Sequence, residues 1–328
     1  MNQYISFPGL GIDLFHMDKS FSVFGRDIAW YGVIICFGII LAVTYALLRA
    51  KYTEKISVDS LTDLAFFLVF FGILGARLYY VIFEFDKYVV TGKGFFGNIL
   101  GTLENAVAVW EGGLAIYGAI IAGFVTILIF CKIKKLNLMK VLDLAAPAVM
   151  IGQLIGRWGN FVNVEAYGAE TTLPWRMGIH TPSQRFENAA ELGIWKSEIY
   201  VHPTFLYESL WNLLGFVIAN LIYRKKKYNG QIFYFYLGWY GFGRMLIEGL
   251  RADSLYLGPI RISQLIGLVT FLIGAGMFFF LLKCDKVESA NALDSAVPAV
   301  GEESGEAETE ESVEETTEET GDENGKDN

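Results

Sequence analysis

Seven apolar stretches, separated by short polar segments, follow one another along the first 286 residues of the chain. About 20 apolar residues in a helix are enough to cross the hydrocarbon core of a bilayer. The pattern therefore predicts an all-α polytopic membrane protein with seven transmembrane helices. The predicted spans cover residues 28–48, 61–83, 112–131, 141–159, 204–223, 231–250 and 262–282.

Basic residues cluster after the first, third, fifth and seventh predicted spans, as in the run Arg224-Lys225-Lys226-Lys227. Cytoplasmic loops of membrane proteins carry an excess of Lys and Arg. All four clusters fall on one side of the membrane if the chain crosses it seven times, which favours seven spans over six or eight. The pattern therefore predicts an N-terminus outside the cell and a C-terminus in the cytoplasm.

Two longer polar regions lie outside the predicted spans. Residues 160–203 form the longest outer segment, and we expect a small extracytoplasmic head there, with short strands. Residues 287–328 are rich in Glu, Thr, Ser and Gly, a composition that cannot bury a core. We therefore predict a membrane domain over residues 1–286 and a disordered acidic cytoplasmic tail over residues 287–328.

The composition supports a membrane protein with a mildly basic body. The chain has 328 residues, of which 53% are hydrophobic and 15% aromatic, and is more apolar than a typical soluble domain. Its net charge of −9 is misleading, because residues 301–328 contain 13 acidic residues and one Lys. The first 300 residues therefore carry a net charge of +3, so the acidity belongs to the tail.

The three cysteines do not form a recognisable chemical motif. Cys36, Cys131 and Cys284 fit neither a zinc site, a redox pair nor a disulfide framework. We interpret them as structural thiols. The sequence also has no grouping of His, Cys and carboxylate residues with the spacing of metal ligands.

Four polar residues share one face of the sixth predicted span. At 100° per residue, Tyr240, Arg244, Glu248 and Arg251 fall within one narrow arc of a helix. An ionisable residue inside a membrane span is costly and by default marks a functional site. Guanidinium groups bind phosphate through paired hydrogen bonds and stay charged. The first hypothesis is therefore a protein that binds an anionic lipid headgroup.

A second polar cluster lies where the fourth predicted span reaches the outer surface. It consists of Arg157, Asn160, Asn163, Glu165 and Gly168. Asparagine amides both donate and accept hydrogen bonds, which suits a glycerol hydroxyl or an ester carbonyl, and glycine allows the close approach of a ligand. Composition alone equally fits a polar helix end that leaves the membrane.

Glu208 lies inside the fifth predicted span, after His202 and Pro203, and needs a partner there. It could form a structural ion pair or take part in binding, and His202 is interpreted as an interfacial cap rather than a catalytic base. Four arginines could pair with Glu208, namely Arg77, Arg157, Arg244 and Arg251.

Two tyrosines allow both a functional and a structural interpretation. Tyr31 begins the first predicted span, where aromatic residues usually form an interfacial belt. Tyr117 lies deeper in the third span beside glycines, where its phenol could bind a ligand or simply pack.

Six segments, in order, resemble the bacterial prolipoprotein diacylglyceryl transferase family. The longest match runs from Arg157 to Gly168, and the resemblance covers residues of about 25 to 285, without the acidic tail. One motif such as Glu-Gly-Gly would be weak, whereas six in order are specific. The other five segments are Trp30-Tyr31-Gly32, Gly75-Ala76-Arg77, Trp110-Glu111-Gly112-Gly113, His202 to Glu208, and the helix from Tyr240 to Arg251.

The resemblance implies a concrete reaction. Members of this family move the diacylglyceryl group of phosphatidylglycerol onto the lipobox cysteine thiol of a prolipoprotein signal peptide. A thioether forms and glycerol-1-phosphate leaves, in the first step of bacterial lipoprotein maturation. The nucleophile belongs to the substrate, and no metal, cofactor or nucleic acid is implied. We expect a monomer in the bacterial cytoplasmic (inner) membrane, with its active site facing the outer leaflet.

The resemblance also implies roles for individual residues. We expect Arg157 and Arg244 to stabilise the leaving phosphate, Tyr31 and Tyr117 to act as further catalytic residues, and Glu248 to hold Arg244 through an ion pair. The expected substrate-binding residues are Arg157, Asn160, Asn163, Glu165, Gly168, Tyr240, Glu248, Arg251, Glu208 and Arg77.

Tyr117 departs from the family pattern, because many relatives have a histidine there. A tyrosine, with a reference pKa of about 10, is a poor base for a thiol. Glu165, Glu208 and Glu111 are alternatives, as is a thiolate formed in solvent and stabilised by arginine, so the base stays open.

Two other functions are compatible with intramembrane charges. A transporter or flippase for an anionic lipid or solute would also use Arg and Glu inside the membrane. However, no inverted repeat is visible, and the polar clusters lie towards one side of the membrane. A non-catalytic scaffold is disfavoured because buried charges cost folding energy.

Overall fold

The computed structural model describes residues 3–89, 94–108, 112–180, 198–252, 254 and 256–296. The dipeptide Trp110-Glu111 and the tail from residue 297 onwards therefore lie outside the described residues. Contacts divide the chain into two units, Met1–Lys286 and Val287–Asn328. All of the elements below belong to the first unit, except the end of the last helix.

Eight α-helices are present in the described ranges, and seven of them coincide with the predicted spans. The exception is α3, which lies between the second and third predicted spans, where no helix was predicted. The helices are α1 (Trp30–Arg49), α2 (Val58–Phe83), α3 (Gly94–Val107), α4 (Ile116–Ile133), α5 (Leu138–Asn163), α6 (Thr204–Tyr223), α7 (Gln231–Glu248) and α8 (Ile262–Ala296).

Six of these helices are long and apolar enough to cross a membrane. Helix α7 is the predicted span that does not qualify, because Gln231, Arg244, Glu248 and several Tyr residues lower its hydropathy. The chain is therefore a mostly helical, polytopic membrane protein. The seventh span and the orientation stay predictions.

Short strands are added at the end of the bundle that holds the start of α1 and the end of α5. Strands β1 (Gln3–Phe7), β2 (Ile12–Met17), β5 (Met177–His180) and β6 (Glu198–Val201) form an antiparallel sheet in the order β2-β1-β5-β6. Two hairpins, β3 (Ser20–Val23) with β4 (Arg26–Ala29) and β7 (Tyr256–Leu257) with β8 (Ile260–Arg261), precede α1 and α8.

Half of this sheet comes from the N-terminal segment, which the prediction of a head at residues 160–203 did not include. Alternation in β1 turns Ile5 and Phe7 towards one face, where they meet Ile179 and Val201 in an apolar core. Val164, directly after α5, and Phe205, at the start of α6, complete this core. The sheet therefore packs onto the helix ends that carry the second polar cluster.

Helix α5 is the central helix of the bundle and packs against α1, α6 and α7. In the most apolar part of each helix, 44% of α5 is buried inside the protein, against 6% of α1 and 11% of α8. The surface that faces lipid therefore belongs mainly to the helices at the periphery of the bundle. This position explains how α5 accommodates Asp143 and Pro147, both of which are buried inside protein rather than exposed to lipid.

Candidate functional site

Glu208, on α6, is the centre of the site and is 5% exposed. Its Oε2 lies 2.5 Å from Nη2 of Arg157 on α5, and its Oε1 lies 3.2 Å from Nη1 of Arg244 on α7. Arg251, just after α7, approaches the same Oε1 at 3.6 Å. One carboxylate therefore gathers guanidinium groups from two helices and a loop. Of its four candidate partners, only Arg77 lies elsewhere.

Glu248 is the second carboxylate of the site and is almost fully buried. Its Oε2 lies 2.5 Å from Nη2 of Arg244, one helical turn earlier, so the expected ion pair is present. The same oxygen is 3.9 Å from Nε of Arg251. We call these residues the outer cluster: Arg157, Arg244, Arg251, Glu208 and Glu248.

The guanidinium groups of the outer cluster are partly accessible. The side chain of Arg157 is 21% exposed and that of Arg244 is 15% exposed, whereas those of Glu208 and Glu248 are 6% and 2% exposed. The carboxylates thus lie behind the arginines. An approaching ligand would therefore meet positive charge first.

Asn160 connects Arg157 to Glu165 through two hydrogen bonds. Its Oδ1 accepts a hydrogen bond from Nη1 of Arg157 at 3.2 Å, and its Nδ2 donates to Oε1 of Glu165 at 2.9 Å. Asn163 donates to the same oxygen of Glu165 at 3.4 Å. The Glu165 side chain is exposed, so its carboxylate is oriented by amides at the surface of the site.

Gly168 lies where the loop after α5 forms hydrogen bonds with the segments before α6 and after α7. Its N–H donates to the carbonyl of His202, and Ala169 N–H donates to the carbonyl of Leu250 at 2.7 Å. A Cβ at Gly168 would lie 2.6 Å from the His202 Cβ and 2.9 Å from the Leu250 oxygen. Packing alone therefore explains a glycine here, and a role of Gly168 in substrate binding stays a prediction.

The three tyrosines predicted at the site lie on three different helices, α1, α7 and α4. The Tyr31 ring lies against Gly159, which is between Arg157 and Asn160 in the sequence, and a Cβ at Gly159 would be 2.8 Å from this ring. Tyr240, one helical turn before Arg244 on α7, stacks on Tyr236. Tyr117, at the start of α4, is 38% exposed.

Arg77 is buried and has a different environment from the other arginines. Its guanidinium donates to the carbonyls of Asn105 and Ala106, at the end of α3, and of Gly112 and Gly113. These bonds fasten α3 and the glycine turn before α4 to α2. Arg77 therefore binds backbone carbonyls in this structure, and its role in substrate binding stays a prediction.

His202 and Tyr207 form a hydrogen-bonded pair that sequence reasoning did not anticipate. The indole N–H of Trp175 donates to the Tyr207 hydroxyl at 2.8 Å, which leaves the hydroxyl hydrogen for Nδ1 of His202 at 3.2 Å. Burial lowers the pKa of His202, consistent with a neutral ring that accepts this bond. In the sequence, the only indication of this pair was that His202 and Tyr207 are five positions apart.

An apolar cavity of about 450 Å³ lies between α1, α2, α4 and α5. Its lining includes Ile39, Leu68 and Leu144, and it extends to Gln153. Gln153 precedes Arg157 on α5 by about one helical turn. One end of this apolar space therefore lies about one helical turn from Arg157, and its lining continues from there to Val141 and Leu47, at the end of the bundle that holds Asp143.

The sequence model of the family described as prolipoprotein diacylglyceryl transferase matches residues 19–280. The chain belongs to the prolipoprotein diacylglyceryl transferase family. Proteins named phosphatidylglycerol–prolipoprotein diacylglyceryl transferase are similar over most of their length. The protein of Listeria innocua is 42% identical over 258 residues, which cover 77% of this chain and 86% of that protein. The protein of Finegoldia magna is 42% identical over 260 residues, covering 79% and 93%.

A relative from Acaryochloris marina extends the similarity beyond these two sources. It is 42% identical over 265 residues, covering 78% of this chain and 88% of that protein. The resemblance to the diacylglyceryl transferase family inferred from six motifs is thereby confirmed. In this member of the family, the described side chains of two motifs, the segment from Arg157 to Gly168 and the helix from Tyr240 to Arg251, meet at Glu208.

Proposed function

We propose that this member of the diacylglyceryl transferase family transfers the diacylglyceryl group of phosphatidylglycerol to the lipobox cysteine thiol of prolipoproteins. A thioether forms and glycerol-1-phosphate leaves, as the first step of bacterial lipoprotein maturation. The observation that carries the proposal is the convergence of Arg157 and Arg244 on the two oxygens of Glu208, with the Gln153 end of an apolar cavity about one helical turn from Arg157. This arrangement suits a phosphate joined to hydrocarbon chains.

The two guanidinium groups would stabilise the leaving phosphate. The cysteine sulfur forms a bond to the glyceryl carbon, and the bond from that carbon to the phosphate oxygen breaks. The phosphate thereby gains negative charge, which fixed cations in a site poor in water stabilise strongly. Arg157 and Arg244 are paired with carboxylates before substrate binds, but each guanidinium has five N–H donors and can contact a phosphate at the same time.

The phosphatidylglycerol headgroup carries hydroxyls that match the surface of the site. The Glu165 carboxylate is exposed and oriented by Asn160 and Asn163, so it can accept hydrogen bonds from a glycerol headgroup. Asn160 also contacts Arg157, which would hold the phosphate next to that headgroup. The acyl chains would extend from there into the apolar cavity.

The thiol proton must leave before or during attack by sulfur. Glu208 is a weak candidate for the acceptor because guanidinium groups occupy both of its oxygens. Glu165 and Tyr117 are more accessible, and Glu111 lies outside the described residues. Deprotonation by solvent, with the thiolate stabilised by arginine, is the remaining route.

The proposed location is the outer leaflet of the bacterial cytoplasmic membrane. Support comes from the position of the outer cluster at the same helix ends as the sheet, whereas Lys225, Lys226 and Lys227 follow α6 at the opposite end. This placement agrees with an N-terminus outside and with the predicted domain of residues 1–286, followed by the acidic tail. A monomer is sufficient, since the outer cluster is built from one chain.

A transfer assay tests the proposal directly. The purified protein is mixed with vesicles of phosphatidylglycerol and a peptide that carries a lipobox cysteine. We expect the release of glycerol phosphate and a peptide heavier by one diacylglyceryl group. A peptide with Ser in place of the cysteine is the matched control and should gain no mass. Absence of product, together with movement of lipid between leaflets, would favour the transporter or flippase.

A further inference from the structure

Two tryptophans form a reciprocal contact between α6 and α7. The indole N–H of Trp211 donates to the carbonyl of Trp239 at 3.0 Å, and the indole N–H of Trp239 donates to the carbonyl of Trp211, also at 3.0 Å. The rings stack with centroids 4.2 Å apart and an interplanar angle of 14°. Each helix therefore gives and receives one hydrogen bond through equivalent atoms.

A glycine one helical turn after each tryptophan makes this contact possible. In an α-helix, the carbonyl of residue i is already bonded to the N–H of residue i+4, so the indole must reach its second lone pair. The i+4 residues are Gly215 and Gly243, and a Cβ at either position would overlap the indole nitrogen of the opposite helix. The pattern Trp-x-x-x-Gly thus occurs once on each helix. We call Trp211, Gly215, Trp239 and Gly243 the tryptophan clasp.

The clasp lies next to the two residues on which the outer cluster depends. Glu208 precedes Trp211 by three residues, and Asn212 donates to the Glu208 carbonyl at 2.8 Å. Arg244 directly follows Gly243, whose backbone lies against the Trp211 indole. A shift of α7 along α6 would therefore move Arg244 relative to Glu208.

The opposite side of α7 is held by backbone contacts with α8. Gly238 faces Gly274, and Gly241 faces Gly267. A Cβ at Gly241, Gly267 or Gly274 would lie less than 3.0 Å from an atom of the other helix, and one at Gly238 would lie 3.1 Å from the Ala275 nitrogen. Close glycine contacts between membrane helices fix their separation. Helix α7 is thus fixed in distance by α8 and in position along α6 by the clasp.

We infer that the tryptophan clasp sets the position of Arg244 against Glu208, so that Trp211 and Trp239 are positioning residues for diacylglyceryl transfer. This inference rests on the proposed function. The clasp has one hydrogen bond from each helix to the other, and hydrogen bonds depend on distance and angle, so both bonds weaken when the helices slide past each other. Displacing a catalytic group by about 1 Å can cost a large factor in rate.

The test replaces each tryptophan with Phe, which keeps an aromatic ring and removes the N–H. We expect kcat per folded enzyme to fall about fivefold in Trp211→Phe and by a similar factor in Trp239→Phe, the size expected for one hydrogen bond. The KM for phosphatidylglycerol should change by less than about twofold, because the effect is on the transition state. Trp175→Phe removes an indole N–H that bonds Tyr207 outside the clasp, and it is the matched control.

An Arg244→Lys background separates positioning from general stability. If the clasp acts through Arg244, Trp211→Phe should have little further effect on kcat in that background, while it lowers the melting temperature equally in both. Unchanged kcat in both Phe variants, with a lowered melting temperature, would overturn the inference. Equal losses of kcat with and without Arg244 would overturn it as well. If the native protein makes no thioether, the proposed function fails instead.

Discussion

Two buried ionic clusters lie at opposite ends of α5, α6 and α7, and their charges are balanced differently. The outer cluster has two carboxylates, Glu208 and Glu248, and Glu208 lies between three guanidinium groups. At the other end, Lys226 lies between two carboxylates, those of Glu54 and Asp143. We call this second group the inner cluster: Glu54, Asp143, Lys226, Tyr223 and Arg49.

The inner cluster satisfies its own charges with fixed partners. Asp143 is fully buried and accepts hydrogen bonds from the N–H groups of Gly230, Ile232 and Phe233, where α7 begins. A helix N-terminus favours negative charge. Tyr223 donates to Glu54 at 2.9 Å. These contacts fasten the start of α7, and the carboxylate oxygens have protein donors already.

The comparison shows that burial of charge does not by itself identify a functional site. Lys226 and Arg244 have the same side-chain exposure of 15%. What differs is the balance of charge: the outer cluster has three cations and two anions, whereas the inner cluster has two cations and two anions. Only the outer cluster therefore has an excess of cationic donors for an anionic substrate.

Arg244→Lys should have the largest effect on activity. Lysine keeps the charge but cannot bridge Glu208, Glu248 and a phosphate with a planar fork. We expect kcat/KM for phosphatidylglycerol to fall about 100-fold, while the protein still inserts and folds. Arg49→Lys in the inner cluster is the matched substitution, and its transfer rate should stay near the native value. Full activity of Arg244→Lys would contradict a planar phosphate contact.

Asp143→Asn should have the largest effect on stability. The amide cannot accept all of the bonds that now reach Asp143, and Lys226 loses one of its partners. We expect a loss of about 3 kcal/mol, measured as a lower melting temperature in detergent, with kcat per folded enzyme retained. Loss of transfer at an unchanged melting temperature would show that the inner cluster takes part in the reaction.

Asn160→Asp should change substrate affinity by a smaller factor. The new carboxylate would pair directly with Arg157 and compete with the phosphate. We expect KM for phosphatidylglycerol to rise roughly tenfold, measured in the transfer assay. Asn163→Asp adds the same charge beside Glu165 without contacting Arg157, so it should have a weaker effect. Equal effects would mean that only the overall charge matters.

His202→Gln should have the smallest effect, visible only in the pH dependence of stability. Burial lowers the pKa of His202 in the folded protein, so the unfolded chain binds more protons just below pH 6.5. His202 therefore destabilises the fold as the pH falls through about 6.5 towards its lower folded pKa. The melting temperature of His202→Gln should fall less than that of the native protein between about pH 7 and pH 5. Parallel pH curves would exclude this contribution.

The sequence by itself determined the helical framework. Apolar stretches predicted helices that coincide with seven of the eight observed, because length and hydropathy are local properties of the chain. It also identified the residues of the outer cluster, since charged groups are conspicuous within apolar surroundings. Helix α3 was missed because it has only 14 residues and many of its polar positions face away from the apolar ones.

Only the tertiary structure decided which charged groups meet. Arg77 and Arg157 are equally plausible partners for Glu208 in the sequence, yet Arg77 contacts the carbonyls around α3, and Arg157 contacts Glu208. The N-terminal strands of the sheet and the tryptophan clasp are also contacts between distant segments. Such contacts depend on how each helix is rotated and how closely neighbouring backbones approach, and hydropathy along one chain contains no information about either.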